Sequence, residues 1–450
     1  MHVVADLHLH SKYSRAVSPQ MTPPVMSYVG KQKGIDILST GDWTHPLWLK
    51  EIKSFLTEAE EGLYKIKNPK PGEEKTRFLL SVEIANIYSQ AGKGRRIHNL
   101  VLSPSFETSE KINKELVKRG YNITSDGRPI IGLSSKGLLE LILEIDERAL
   151  LIPCHIWTPW FGMYGTSSGF NSITESFGDL GKYIYGIETG LSSDPEMNWE
   201  IKELDTRSIL SFSDAHSPAK MGREATVFNV QELSYSAIRE AIMAPMLKSQ
   251  GKEVSNMVAY TIEFYPEEGK YHYSGHRKCH VALTPEEQKK SSGICPVCGR
   301  KVTDGVMRRV QELANEDPRG VAKQNDAGLK WITDPKKMHP PFVKIVPLNE
   351  IIAEAIDRPV TSPKVKVLFD ELCEKLESEL FVLLKAEIND IAKIAGEKVA
   401  EAVQKVRSAN IVIKPGYDGV YGVVKIWHEG KDVAKDTDDE KEKSQLGLGL

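Results

Sequence analysis

Six short apolar runs in the first half of the chain each end on, or open with, a side chain of the kind that binds metal. They read VVADLHLH, ILSTGD, FLLSVE, RIHNLVL, LLIPCH and ILSFSDAH. Five deliver His8 with His10, Asp42, Glu83, His155, and Asp214 with His216 at their C-terminal ends, whereas His98 stands near the start of its run. Runs of this length and content predict buried strands. Helical patterns over 24–33, 47–60, 107–118, 136–147 and 235–244 lie between and after them. Residues 1 to about 245 therefore alternate strand and helix, which implies a parallel sheet or barrel. First and last strands that feed one site favour closure into a barrel, with the ligands at the strand ends where barrel enzymes hold their chemistry. The segment 65–75, with two prolines and mixed charge, reads as a loop or hairpin insertion.

The pattern then changes. Residues 265–305 are short, turn-rich and contain cysteines, 305–318 look helical, and 330–347, rich in proline and lysine, resemble a linker. Over 363–408 apolar residues return at helical spacing (Val367, Leu368, Leu372, Leu376, Leu380, Leu383). IVIKPGYDGVYGVVKIW predicts a terminal hairpin. The expected organisation is a catalytic barrel over 1–245, a zinc ribbon over 246–318, a helical domain with terminal hairpin over 319–428, and a disordered charged tail over 429–450.

Composition narrows the function class. With 40% hydrophobic and 27% charged residues among 450, the chain is that of an ordinary globular protein. It shows no signal-peptide pattern and no apolar stretch near 18 residues, and its five cysteines are an odd number. The expected location is the cytoplasm. A net charge of −3 conceals an asymmetry, since Lys270–Lys344 carries 15 Lys and Arg against 8 Asp and Glu. Such a segment is the electrostatic footprint of a polyanion partner. No GxxxxGK[ST] phosphate loop occurs, which excludes a P-loop motor.

The candidate chemistry follows from spacing. In a strand, residues two apart share a face, so His8 and His10 can reach one ion, as can Asp214 and His216. A glutamate buried at the end of the run FLLSV, as Glu83 would be, is costly unless it faces cations, which suits a carboxylate bridging two metals. His155 and the less regular His98 add to the set, and Asp42, with His45 behind it, is a candidate for a third ion. The cofactor expected is two or three divalent ions, Zn, Mn or Mg, polarising a phosphoryl group. Glu83, Asp194 and His216 are the catalytic candidates, although Asp194 also reads as the cap of a helix starting at Pro195. His276-x2-Cys279 and Cys295-x2-Cys298 form two ligand pairs that predict one structural zinc, with His280 a rival to His276. Arg277, Lys278, Arg300, Lys301, Arg308 and Arg309 surround it and are candidates for phosphate contact. After His155 comes IWTPWFGMYGTSSGF, whose Trp157, Trp160, Phe161, Tyr164 and Phe170 are candidates to stack an extruded base.

HLH, GD, VE, the lone His98 and His155, and SDAH together resemble the polymerase-and-histidinol-phosphatase (PHP) superfamily of trinuclear metal phosphoesterases, built on a distorted (β/α)7 barrel. The resemblance implies that His8, His10, Glu83 and Asp214 share one ion and Glu83, His98 and His155 a second. The chain departs from that superfamily where Arg15 and Ala16 follow the first motif and Trp43 follows Asp42, which leaves Asp42, His216 and His45 for a third. A barrel followed by HxxC–CPVCGR and a helical region ending in KPGYDGVYG is similar to the endonuclease Q family of DNA repair enzymes. That implies nicking 5′ to deaminated bases (uracil, hypoxanthine, xanthine) and abasic sites in double- or single-stranded DNA, leaving 3′-hydroxyl and 5′-phosphate ends. The alternative is a phosphatase of the same superfamily acting on a small monoester. The tail SQLGLGL faintly resembles a sliding-clamp-binding peptide but lacks its aromatic end.

Overall fold

A computed structural model of the chain describes residues 1–427 except Gly72, Asp317 and Pro318. The predicted disordered tail over 429–450 and its clamp-like end lie outside the described residues.

Seven strands form a ring: β1 (His2–Asp6), β2 (Ile37–Ser39), β3 (Arg77–Gln90), β4 (Lys93–Ser103), β5 (Leu150–Pro153), β6 (Gly186–Glu188) and β7 (Ser208–Leu210). β1, β2 and β3 pair in parallel, as do β6 and β7. β4 is antiparallel to both β3 and β5. The ring closes where the Ile156 N–H reaches the Glu188 carbonyl at 3.1 Å and where Leu9 bridges Ala215. Antiparallel β3 and β4 make this a distorted barrel rather than a uniform βα repeat. RFLLSVEI and RIHNLVL are thus the two arms of one long hairpin, turning at Ala91 and Gly92. The side chains of Val3, Ala5, Leu7, Ile37, Leu79, Leu100, Ile152 and Leu210 pack into one buried cluster inside the ring.

Helices Phe106–Lys118, Ser135–Ile145 and Tyr235–Ser249 start where predicted because Ser105, Ser134 and Ser234 accept a hydrogen bond from the amide three residues on. The helix expected over 47–60 stops at Phe55, and Leu56–Glu60 turns back to pair with Leu63–Ile66. Outside the ring, Ala225–Asn229 runs antiparallel to β1 and carries the sheet on through Met257–Glu263, Phe342–Lys344, Lys330–Thr333 and Val321–Gln324. The stretch read as a linker over 330–347 therefore contains two strands, since KWIT and FVK pair with each other and FVK with the main sheet. Helices Leu348–Ala355, Pro363–Lys375, Glu379–Leu384, Ile388–Ala395 and Glu397–Arg407 pack on this extension in a second core. The terminal hairpin pairs Val412–Lys414 with Val423–Lys425. Among the described residues no helix is long and apolar enough to cross a membrane.

Candidate metal centre and nucleic-acid interface

The ring brings His8, His10, Glu83, His98, His155, Asp214 and His216 to one end. Glu83 lies at the middle, with its two oxygens facing different ligands. Oε1 contacts His98 Nδ1 and lies 3.2 Å from His155 Nε2. Oε2 lies 3.2 Å from His10 Nε2 and 3.8 Å from His8 Nε2. Asp214 Oδ1 lies 3.1 Å from His10 Nε2 and 3.8 Å from His8 Nε2. Among the described residues, four barrel groups have ligand atoms close enough for a shared ion: His8, His10 and Glu83; Glu83, His98 and His155; His10, Asp214 and His216; and His8, Cys154 and Glu188. A carboxylate with one oxygen in each of two groups has the form of a bridging ligand.

The donors fit divalent cations on a second ground. His8 Nε2, His10 Nε2, His155 Nδ1 and Asp214 Oδ1 are buried without a hydrogen-bond partner. Each such atom costs about 1–3 kcal/mol unless something fills it. The 3.1 Å approach of His10 Nε2 to Asp214 Oδ1 lacks hydrogen-bond alignment, as expected of two ligands facing one point. Burial opposes ionisation of Glu83 and Asp214, yet the surrounding imidazoles hold both well below the usual carboxylate range, aided at Glu83 by Arg128. Burial lowers His98 to about 4, so its ring is neutral and its lone pair available.

A second set of groups fixes these ligands. Glu188 Oε1 accepts from His8 Nδ1 at 2.8 Å, which turns Nε2 toward the cluster, and its other oxygen takes the His155 N–H at 2.9 Å. Asp42 does the same for His10. Its Oδ1 takes His10 Nδ1 at 3.1 Å, and Oδ2 takes the Ser11 N–H and the Ser14 hydroxyl. Asp42, expected as a ligand of a third ion, stands outside the ligand groups of the cluster and holds three donors on its oxygens. His45 faces the Thr124 carbonyl and stacks on Tyr13, so it stands apart as well. Asp42, His155 and Asp214 adopt left-handed backbone at their strand ends, φ 51°, 27° and 47°, and such strain clusters at functional sites. Gly190 allows the turn at His155, since a Cβ there would lie 2.3 Å from the His155 Cβ.

Over residues 347–410 the chain matches a family described as the MJ0043 C-terminal domain. It is 34% identical over 291 residues to the MJ0043 protein of Methanocaldococcus jannaschii, a match covering 63% of this chain but only 33% of that relative. The chain thus spans about a third of that protein's length. It is 27% identical to the YqxK protein of Bacillus subtilis, over 94% of this chain and 99% of the relative. The crystal structure of the lesion-specific endonuclease PfuEndoQ from Pyrococcus furiosus matches with a TM-score of 0.78 at 30% identity, over 94% of this chain and 95% of that one. A complex of endonuclease Q with a 27-mer duplex bearing an abasic lesion at the active site gives 0.77 at 31% identity, over 94% and 96%. The chain belongs to the endonuclease Q family.

In this endonuclease Q fold the cysteine cluster forms as spaced. His276, Cys279, Cys295 and Cys298 bring their ligand atoms within 4.8 Å of one another, on a hairpin of Ser274–His276 with Val281–Leu283 and a knuckle closed by Cys295 N–H to the Arg300 carbonyl. His280 is not in the group. Burial opposes the Cys295 thiolate, but the N–H groups of Cys298 and Val297 outweigh it and bring its pKa down to about 6, a state ready for a cation. Arg277, Lys278, Arg300 and Lys301 are exposed on this ribbon. Arg308 pairs with Glu312, and Arg309 is buried. Rather than facing solvent, Arg309 donates to the carbonyls of Tyr164 and Phe170 and to Asn171 Oδ1, which ties the ribbon to the aromatic loop.

That loop divides its rings. Trp157, Tyr164 and Phe170 are 1% exposed or less and pack in the core, held by Asn198, Glu203 and Arg95. They do not present faces to a base. Trp160, 38% exposed, and Phe161, 4.4 Å from the His98 ring, lie at the surface of the loop beside the cluster. Asp194 stands apart from the cluster contacts. It caps helix Pro195–Trp199 through the Met197 N–H and pairs with Lys344 at 2.7 Å, so the capping alternative describes its place. Two contacts at the cluster carry no signal in the sequence: Arg128 Nη1 lies 3.1 Å from Glu83 Oε2, and Glu188 pairs with His8.

Proposed function

We propose that this protein is a metal-dependent DNA repair endonuclease. It nicks the phosphodiester 5′ to deaminated bases (uracil, hypoxanthine, xanthine) and abasic sites, leaving 3′-hydroxyl and 5′-phosphate ends. The observation that carries the reading is a buried imidazole–carboxylate cluster divided about Glu83, in a chain that aligns over 94% of its length with an endonuclease Q held on abasic DNA. His8, His10, Glu83 and Asp214 would hold one divalent ion, Glu83, His98 and His155 a second, and Asp214 with His216 a third. A single zinc would sit on His276, Cys279, Cys295 and Cys298. Zn, Mn or Mg ions bound there supply Lewis acidity to the phosphoryl oxygens.

The chain's own residues do the rest. Glu188 and Asp42 hold His8 and His10 in the tautomer that keeps Nε2 bare. His216 donates Nδ1–H to the Asp214 carbonyl at 2.9 Å, and burial keeps the ring neutral, so its Nε2 is an acceptor. Side-chain exposure rises from 0% at His8, His10 and Glu83 to 12% at His155, 16% at His216 and 24% at Arg128. That gradient marks the edge by which a nucleotide reaches the cluster, with Trp160 and Phe161 alongside to receive an extruded base. Exposed Arg277, Lys278, Arg300 and Lys301 suit contact with the flanking backbone. A soluble repair enzyme of this kind would act in the cytoplasm.

The test uses end-labelled duplexes with one uracil, one hypoxanthine, one abasic site or no lesion, incubated with Mg, Mn or Zn. One nick directly 5′ to the lesion, absent from the undamaged duplex, is the expected result. Absence of nicking together with turnover of a small phosphate monoester would replace this reading with a phosphatase.

A further inference from the structure

We propose that Arg128 is a catalytic residue, whose guanidinium binds the non-bridging oxygens of the phosphodiester under attack. The assignment rests on the phosphodiester chemistry proposed above. Arg128 is a firmly placed loop residue. The Arg128 N–H bonds Asp126 Oδ1 at 3.1 Å, closing a short turn. The Gly127 N–H bonds the Tyr13 carbonyl at 3.0 Å, and the Gly127 carbonyl takes the Thr44 hydroxyl at 3.3 Å. A Cβ on Gly127 would lie 2.4 Å from Asp42 Oδ2, so only glycine lets the loop pass this close to the cluster. On the far side, the Pro129 carbonyl takes the Ala85 N–H at 3.0 Å, and Ile130–Ile131 pairs with Ala85 and Asn86 next to Glu83. Both ends of the tripeptide are thus fixed to elements that carry cluster residues.

Arg128 Nη1 lies 3.1 Å from Glu83 Oε2, the oxygen that also faces His8 and His10, and the side chain is 24% exposed at the open edge. A guanidinium has five donors in a planar fork, and the contact to Glu83 uses one. Charge gives the reason for its presence. The three divalent ions proposed above would carry six positive charges against the four carboxylates around the cluster, Glu83, Asp214, Glu188 and Asp42. Arg128 adds one more positive charge next to the ions, and a phosphodiester brings one negative charge. A permanently charged planar fork matches two oxygens of a phosphate, which an ammonium cannot do. Charge on those oxygens grows in the transition state, so the contact strengthens as the reaction proceeds.

The experiment compares the metal-loaded full chain with R128Q and R128K. Bound metal is measured, inorganic phosphate binding is followed by calorimetry, and nicking of an abasic duplex is followed to separate kcat from KM. Expected for R128Q are unchanged metal content, phosphate binding weaker by at least tenfold, kcat lower by roughly 10²–10³-fold as for loss of one transition-state donor, and KM within about threefold. R128K should regain part of the phosphate affinity but little of kcat. Phosphate binding and kcat like the wild type, or loss of metal in step with loss of activity, would overturn the assignment. Absence of nicking by the wild type would count against the endonuclease reading alone, because phosphate binding still judges Arg128.

Discussion

Glu188 Oε1 lies 2.8 Å from His8 Nδ1, joining two barrel strands 180 residues apart in sequence. Both side chains are fully buried, so the pair sets the ring orientation of His8 before any cation arrives. E188A should therefore weaken metal binding by about 10–100-fold, the usual cost of removing an orienting carboxylate. E188Q, which still accepts the Nδ1–H bond, should lose less. Metal titration by calorimetry measures both, and equal affinity in E188A and wild type would refute the role.

Two tryptophans three residues apart should separate packing from recognition. Trp157 is 1% exposed and bonded to Asn198 Oδ1, so W157A should destabilise the fold by roughly 3–5 kcal/mol. Trp160 is 38% exposed, and among the described residues its one ring contact is a T-shaped one with Tyr271. W160A should melt close to the wild type yet bind lesion duplex less well, by about 1–3 kcal/mol if it stacks a base. Thermal melting and fluorescence anisotropy give the two numbers. A large melting loss in W160A with unchanged affinity would exclude the stacking role.

Why the sequence spoke clearly of some residues and not of others has a physical basis. His8, His10, Glu83, His155 and Asp214 were legible because polar groups terminating apolar strands must converge where a barrel opens. Arg128 was not, since it lies in an SDGRP turn with no periodicity, and its position depends on contacts to Tyr13, Thr44 and Ala85. The aromatic loop was visible as a motif, but composition cannot say which rings turn inward; Trp157, Tyr164 and Phe170 do, and Arg309 follows them into the interior. The hairpin of β3 and β4 was read as two separate units because each arm alone has the apolar content of a barrel strand.

The ribbon proposed to hold zinc should act on the aromatic loop through a mechanical link. Arg309, on the helix after the ribbon, holds two loop carbonyls, and the loop returns to the cluster where the His98 N–H bonds the Phe161 carbonyl at 3.0 Å. C298S should lose one equivalent of zinc per chain and with it the order of the ribbon. Lesion-duplex affinity should fall while the barrel keeps its metals. Elemental analysis and duplex titration test this, and full affinity in a ribbon without zinc would argue against it.

Glu263 and Glu224 form a buried acidic pair behind β7, where Glu263 contacts the Ser211 hydroxyl and lies 3.4 Å from that of Thr189. Burial pushes Glu263 up to about 8, and burial together with Glu263 pushes Glu224 well above its ordinary value. Because the folded pKa exceeds the usual 4.5, the folded chain keeps a proton that the unfolded chain releases. The stabilising effect is whole below about pH 4.5 and is lost as pH rises toward 8, at up to about 1.4 kcal/mol per unit for each group. E263Q, neutral at every pH, should melt like the wild type at pH 5 and at a higher temperature at pH 8 to 9. Melting curves across that range decide it, and parallel pH profiles for the two proteins would show that Glu263 is ionised in the fold throughout.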